Sequence, residues 1–226
     1  MLKYEIIKGM KTLRESLLDD GLIDKTDKMI KDEIEAFLKA NYNGTIKISQ
    51  KPNADGKYEV SSVTYIEVKN RNITSLTNGM FIWTLIDGSF YCSGCKSLKS
   101  LEGAPKKVRR GFYCDKCNSL ISLKGAPKEV SMTFDCSRCD SLISLEGAPE
   151  KVGDDFYCYN CYSLTSLEGA PEKVGGTFDC SYCKSLNSLD GAPKEVRKDF
   201  DCRGCKIQFT EDDVKKISDV KGEIIN

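Results

Sequence analysis

A 22-residue frame repeats head to tail through half of this chain. The copy from Phe90 reads FYCSGCKSLKSLEGAPKKVRRG; further copies begin at Phe112, Phe134, Phe156 and Phe178, and a sixth starts at Phe200 and breaks off. All complete copies keep F-x-C-x-x-C-x-S-L-x-S-L-x-G-A-P-x-x-V. A unit this short cannot bury its apolar side alone, so strict self-similarity at this period predicts a solenoid in which each coil covers the next. Such stacks present long surfaces to partners, and they seldom enclose a catalytic pocket.

The unit from Phe112 shows how one coil is built. Phe112 and Cys114 share a face of an extended segment, while Tyr113 and Asp115 point away. Cys117, Leu120 and Leu123 follow at intervals of three, which suits a chain curving around a core. Gly125-Ala126-Pro127 makes a turn, because Gly is permissive and Pro fixes its φ. Val130 is the last inward residue before the next Phe. The expectation is one short strand per coil plus a tightly curved return.

The composition narrows the function. Lys and Arg total 34, as do Asp and Glu, so diffuse attraction to nucleic acid or anionic lipid is disfavoured. There is no histidine, which removes the commonest general base, the usual Ser and Cys triads and every His-containing zinc site. No phosphate-binding G-x-x-x-x-G-K-[ST] or G-x-G-x-x-G follows a strand. An enzyme is not expected. The opening MLKYEIIKGMK is too charged for a signal peptide, and the apolar run from Met80 to Ile86 falls far short of the ~20 residues that span a bilayer. The expected setting is the cytoplasm, with no membrane contact.

Two segments carry a family resemblance. I-x-V-x-x-x-x-I-T-S-L at Ile66 to Leu76 and F-x-C-x-x-C-x-x-L in the repeats resemble the L-x-L-x-x-N-x-L and L-x-L-x-x-C-x-x-L segments of leucine-rich repeats. Val68 to Ile73 is five positions and Cys92 to Leu98 is six, which matches the difference between those two forms. The resemblance implies that Cys95, Cys117, Cys139, Cys161, Cys183 and Cys205 bond the backbone of neighbouring coils. Phe and Cys replace the first two Leu residues of the family pattern, so the core is expected to be aromatic and rich in sulfur. The S-L-x-S-L-x-G-A-P return is similar to short repeats of phage and prophage proteins. That similarity implies a small protein of the host cytoplasm acting on host machinery, for instance a stoichiometric inhibitor of a defence complex such as a CRISPR effector.

All twelve cysteines fall in C-x-x-C pairs, with eighteen residues between successive pairs. C-x2-C-x18-C-x2-C also matches a zinc ribbon, so a zinc-stabilised structural or nucleic-acid-binding protein is the alternative reading. A ribbon closes on two pairs, whereas here six pairs share one phase with other core positions. The favoured reading is therefore a ladder of small buried thiols with no cofactor. Disulfides across ~4.8 Å between coils are sterically feasible but disfavoured in a reducing cytosol.

The organisation expected is an α+β N-terminal cap over residues 1–64, a leucine-rich-repeat-like β-solenoid over 65–209 and a C-terminal capping helix within 210–226. Met10 to Leu18 and Lys25 to Ala40 show helical spacing, with Met29, Ile30, Ile34, Phe37 and Leu38 on one face of the second. Asn41 to Gly44 reads as its stop, Thr45 to Ser49 as a strand, Asn53 to Gly56 as a turn and Tyr58 to Val68 as β-rich. Thr210 to Asp213 starts a short helix with a capping-box pattern.

Outward positions beside the strand vary between repeats, and there a partner protein would bind. The candidates are Tyr91, Tyr113, Asp135, Tyr157, Asp179 and Asp201 in one column, with Tyr159, Tyr162 and Tyr182 nearby. They read as a Tyr-rich patch centred on coils three to five and edged by Asp, although Tyr also suits ordinary half-exposed strand positions. Charges on the return alternate in sign, which reads as a solvated face. A basic cluster of Lys96, Lys99, Lys106, Lys107, Arg109 and Arg110 on the first full coil offers a contact for nucleic acid.

Overall fold

The computed structural model describes residues 23–226, with side chains from residue 27; the helix expected over Met10 to Leu18 lies outside the described residues. The chain forms a parallel β-solenoid of about eight turns. It opens with α1 (Ile23–Asn41), β1 (Tyr42–Ile48) and β2 (Tyr58–Val68). β2 is the founding strand. One edge pairs antiparallel with β1, and the other pairs with β3 (Phe81–Ile86) in its first half and with β4 (Phe90–Tyr91) in its second.

Two parallel ladders grow from that point. The first continues from β4 through Phe112–Tyr113, Phe134–Asp135, Phe156–Tyr157, Phe178–Asp179, Phe200–Asp201 and Ile224–Ile225 (β6, β8, β10, β12, β14 and β16). The second continues from β3 through Lys107–Val108, Glu129–Val130, Lys151–Val152, Lys173–Val174, Glu195–Val196 and Asp219–Val220 (β5, β7, β9, β11, β13 and β15). Each coil thus has two short strands, which corrects the expectation of one. Two-residue strands carry no alternation to read, yet Val in every copy pairs in register with its equivalent, as Val108 with Val130.

Register follows from identity. Phe90, Phe112, Phe134, Phe156, Phe178 and Phe200 are fully buried, and their rings follow one another at centroid distances of 5.2–5.6 Å. Ile66 and Ile224 end the row as strand partners of Phe90 and Phe200. Both Leu columns are buried too, from Leu98 and Leu101 to Leu186 and Leu189. In the degenerate first coil Ile73 and Leu76 fill the same columns. Close stacking also fixes the G-A-P glycine: Gly125 has φ +91°, and a Cβ there would stand 2.5 Å from the Glu102 backbone.

The third position of C-x-x-C is left-handed in every full coil. Gly94 and Gly204 are joined there by Lys116, Arg138, Asn160 and Tyr182, at φ 56–58°. Non-Gly residues pay a steric penalty in that region. Their backbone N–H groups bond to the next coil, as Arg138 N–H does to the Tyr159 carbonyl at 2.9 Å, and these bonds hold the conformation.

At the N-terminal end, Tyr42, Phe81, Trp83 and Phe90 pack edge-to-face or tilted, with Phe37 of α1 against Tyr42 and Phe81. Ile34 and Leu38 are buried as expected, but Met29 is 65% exposed. No loop separates α1 from β1, so the stop expected at Asn41 to Gly44 is instead the helix end running into the strand. Gly44 sits in β1 beside a bulge, where its bare Cα passes against the Tyr65 carbonyl. The turn at Asn53 forms, with Gly56 N–H on the Asn53 carbonyl at 2.9 Å.

At the other end α2 (Glu211–Lys215) starts with a capping box between Thr210 and Asp213. The tail is more than a capping helix. Beyond α2 it returns to both ladders through β15 and β16, completing a further turn with Val214 buried beneath.

Many return-side charges pair across coils. Lys107 and Lys151 flank Glu129 at 2.7 and 3.7 Å, Lys173 meets Glu195 at 2.8 Å, and Lys194 meets Glu172 at 2.7 Å, each across one coil step. Exposed pairs of this kind add at most about 1 kcal/mol, while the buried columns dominate. Leu142→Ala or Leu164→Ala is therefore expected to cost about 2–5 kcal/mol in urea unfolding, and Glu146→Ala less than about 0.5 kcal/mol. Equal midpoints for the Leu and Glu variants would place the core on the wrong side of the coil.

Candidate interaction surface

Beneath the strand face runs a cysteine ladder. All twelve thiols are free; eleven are buried and Cys205 is half-buried. The second Cys of a pair donates its S–H to the backbone carbonyl of the first Cys one coil earlier. The pairs are Cys117 to Cys92, Cys139 to Cys114, Cys161 to Cys136, Cys183 to Cys158 and Cys205 to Cys180, at 3.2–3.3 Å. Stacking sets equivalent cysteines in rows rather than around a point. Among the described residues no three His, Cys, Asp or Glu side chains converge on a position for a metal ion.

Burial pushes the thiols up. Cys92 is raised to about 11, Cys161 and Cys202 to about 12, and Cys114, Cys136, Cys139, Cys158 and Cys183 rise by the same cause. Cys205 is the exception, held below the usual thiol range first by its hydrogen bond with the Cys180 thiol and also by the nearby Lys184 ammonium.

Above the ladder lies the outward column of the first strand. Tyr91, Tyr113, Asp135, Tyr157, Asp179 and Asp201 stand in register as neighbours from one coil to the next. The Tyr91 and Tyr113 rings stack at 4.8 Å with planes 6° apart, and Tyr65 meets Tyr91 edge-on at 6.4 Å. Tyr157 donates its hydroxyl to Asp155 Oδ2 at 2.9 Å and meets Tyr159 edge-on. The aspartates fold back on their own chain: Asp135, Asp179 and Asp201 each accept, through Oδ1, the N–H two residues on. Asp201 is buried and bound to Arg203.

The nine sequence candidates fall on two parts of the coil, which Arg138 bridges by lying over the Tyr159 ring and lining a groove with Tyr162. Six belong to the sheet column, and Tyr159 adjoins it. Tyr162 and Tyr182, 50% and 43% exposed, stand at the C-x-x-C corner. There Lys184 lies over the Tyr182 ring, and Tyr162 lines a shallow groove of about 590 Å³ with Lys116 and Arg138. The aromatic weight of the sheet face also extends to the first coils, contrary to the expected centre on coils three to five.

Tyr65, 52% exposed, and Asp155 were missed. Both occupy the position just before the Phe column, and the alignment of Ile66 with Phe90 contains the signal for them. The basic cluster is dispersed around its coil. Lys96 lies at the corner, Lys99 between the two Leu columns, and Lys107 and Arg109 are paired with Glu129 and Asp87 on the second-ladder side.

Burial raises the Asp135 and Asp179 carboxyls, and carboxylate neighbours Asp115 and Asp201 add to it. The Tyr113 and Tyr157 hydroxyls are raised first by burial; Tyr91, Asp135 and Asp154 push further on the former, Asp155 and Asp179 on the latter.

The chain matches no protein-family model, no curated protein and no solved structure. The surface has to be read from its own chemistry.

The thiols set a pH dependence. Cys205 apart, their folded pKa values lie above the unfolded value of about 8.5, so their contribution is complete below that pH and is lost as pH rises towards 11–12. Each such thiol steepens the loss by about 1.4 kcal/mol per pH unit. Urea unfolding at pH 6, 7 and 10 is expected to show little change at the first step, which lies below the unfolded thiol pKa, and a steep fall at the second; a flat profile would show that the thiols are not protonated in the core.

Native thiol labelling tests the same ladder. Cys205 is expected to react first, with all twelve thiols reacting only after denaturation. Rapid native labelling of several thiols would contradict burial.

Proposed function

We propose that this protein is a binding module, a leucine-rich-repeat-like solenoid that recognises another protein through the outer face of its first ladder, and not an enzyme. The observation that carries this reading is the in-register row from Tyr91 to Tyr157, extended by Tyr65 and Tyr159 and set on a backbone locked by the Phe and Cys columns beneath it. Rigid tyrosines supply contact area at low conformational cost, and they are enriched at the centres of interfaces. A surface ordered before binding loses little entropy when it docks.

The similarity of the S-L-x-S-L-x-G-A-P returns to phage and prophage repeats extends the proposal. Its partner would then be a bacterial complex of the host cytoplasm, and the protein a stoichiometric inhibitor of host defence such as a CRISPR effector. A preformed surface suits inhibition by occupancy, which requires no chemistry.

The test is capture from a bacterial lysate by the wild-type chain and by Tyr157→Ala/Tyr159→Ala, with captured proteins identified by mass spectrometry. One protein held by the wild type and reduced at least about tenfold with the variant, a loss of about 1.4 kcal/mol, is the expected result. Equal capture by both chains would remove the tyrosines from the recognition site. Retention of RNA or DNA with no protein would replace the reading with a nucleic-acid binder.

A further inference from the structure

The two long sides of the solenoid handle charge differently. On the return side an acid is repeatedly answered by a lysine one coil away: Glu102 by Lys124, Glu129 by Lys107 and Lys151, Glu150 by Lys128, Glu172 by Lys194 and Glu195 by Lys173. Only the exposed row Glu146, Glu168 and Asp190 has no such answer among the described residues, and it stands in open water; the sheet face lacks the alternation along its half-buried column. In its column Asp135 stands between Tyr113 and Tyr157, and Asp179 between Tyr157 and Asp201. Neither Asp135 nor Asp179 has an ion pair among the described residues, while Asp201 has Arg203.

The surroundings intensify this charge. Asp135 and Asp179 are half-buried, and each gives Oδ1 to its own backbone, so neither carboxylate is neutralised by a cation of an ion pair. Carboxylates set into a low-dielectric wall project a stronger field than the same charges in open water. Burial is the first cause that raises Asp135, Asp179, Tyr113 and Tyr157; a neighbouring carboxylate adds to each, against Lys116 at Asp135 and Arg203 at Asp179. Such a surface repels a phosphate backbone.

Between the acids lie aromatic rings. The Tyr113 and Tyr157 rings flank Asp135 on either side in the strand register. Ring faces attract cations, and guanidinium stacks on them while also forking two hydrogen bonds to a carboxylate, which an ammonium cannot do. The corner of the same coil already shows the geometry, with the Arg138 guanidinium 5.5 Å from the centroid of the Tyr159 ring.

We infer that the sheet face between Tyr113 and Asp179 takes an arginine-bearing segment of the partner protein, with guanidinium groups seated on Asp135 and Asp179 and stacked against Tyr113 and Tyr157. This rests on the reading of that face as a protein-interaction surface and adds the chemistry of what it binds. The field over the face also speeds encounter with a basic partner and makes the association sensitive to salt.

The experiment uses fluorescent nona-arginine, nona-lysine and nona-glutamate peptides with the intact chain, read by anisotropy at low and physiological salt. Asp135→Asn/Asp179→Asn neutralises the face while the amide oxygen still accepts the backbone N–H, so the fold is retained. Glu146→Gln/Glu168→Gln removes the same charge from the return side and serves as the control. Nona-arginine is expected to bind several-fold tighter than nona-lysine, to weaken with salt, and to lose about tenfold in the Asn variant but less than about twofold in the control. Equal losses in the two variants, no loss in the Asn variant, or tighter binding of nona-glutamate would overturn the inference. If no arginine peptide binds while Tyr157→Ala/Tyr159→Ala still abolishes protein capture, the surface stands and its preference for arginine is wrong.

Discussion

Everything in this molecule depends on one coil bonding to the next in strict register. Phe112 N–H reaches the Thr133 carbonyl and Cys114 N–H the Asp135 carbonyl, and the same bonds recur coil after coil. Since each bond joins a residue to the chain neighbour of its equivalent, the strands pair in register and every side chain lies against its own equivalents. A residue type is admissible only if it tolerates a copy of itself above and below. Phe, Leu and Val meet that condition by packing. From Cys117 onward the second Cys of each pair meets it by also giving its S–H to the carbonyl of the preceding coil, so that burial leaves it no orphan.

The same condition is hardest on charge, and the chain has two answers. Along much of the return side it sets opposite signs on neighbouring coils, and the one acidic run, Glu146, Glu168 and Asp190, is exposed to water. On the sheet face it interleaves acids with tyrosines and ties each aspartate to its own turn. The second answer leaves potential unbalanced where the first cancels it. That difference between two surfaces of one repeat is what marks the sheet face for recognition.

The solenoid was legible in the sequence because the repeat lists its columns openly: Phe, Cys, Leu and Val at fixed phase are the residues found buried. Physical reasons explain the rest. A two-residue strand has no alternation, so the Val ladder was hidden, and the tail strands were hidden behind a capping box that reads as a helix start. The left-handed corner escaped because Lys116, Arg138, Asn160 and Tyr182 stand where Gly would have announced it; cross-coil hydrogen bonds, absent from any local pattern, hold them there. The Tyr and Asp columns could be read by position, but their division between sheet and corner depends on which side of C-x-x-C the chain turns. Met29 shows the opposite error, an apolar residue at helical spacing left largely exposed.

The founding strand β2 gives the stack a direction. Its outer edge is covered by β1, and both ladders start from its inner edge, so the N-terminal end is a closed template. Each later coil finds its partner about one repeat back along the chain and needs nothing that follows it. Loop closure over so short a separation is fast and costs little entropy. As the chain leaves the ribosome, each new coil can therefore dock on a finished edge, and the nascent protein grows as a rod lengthening from its fixed end.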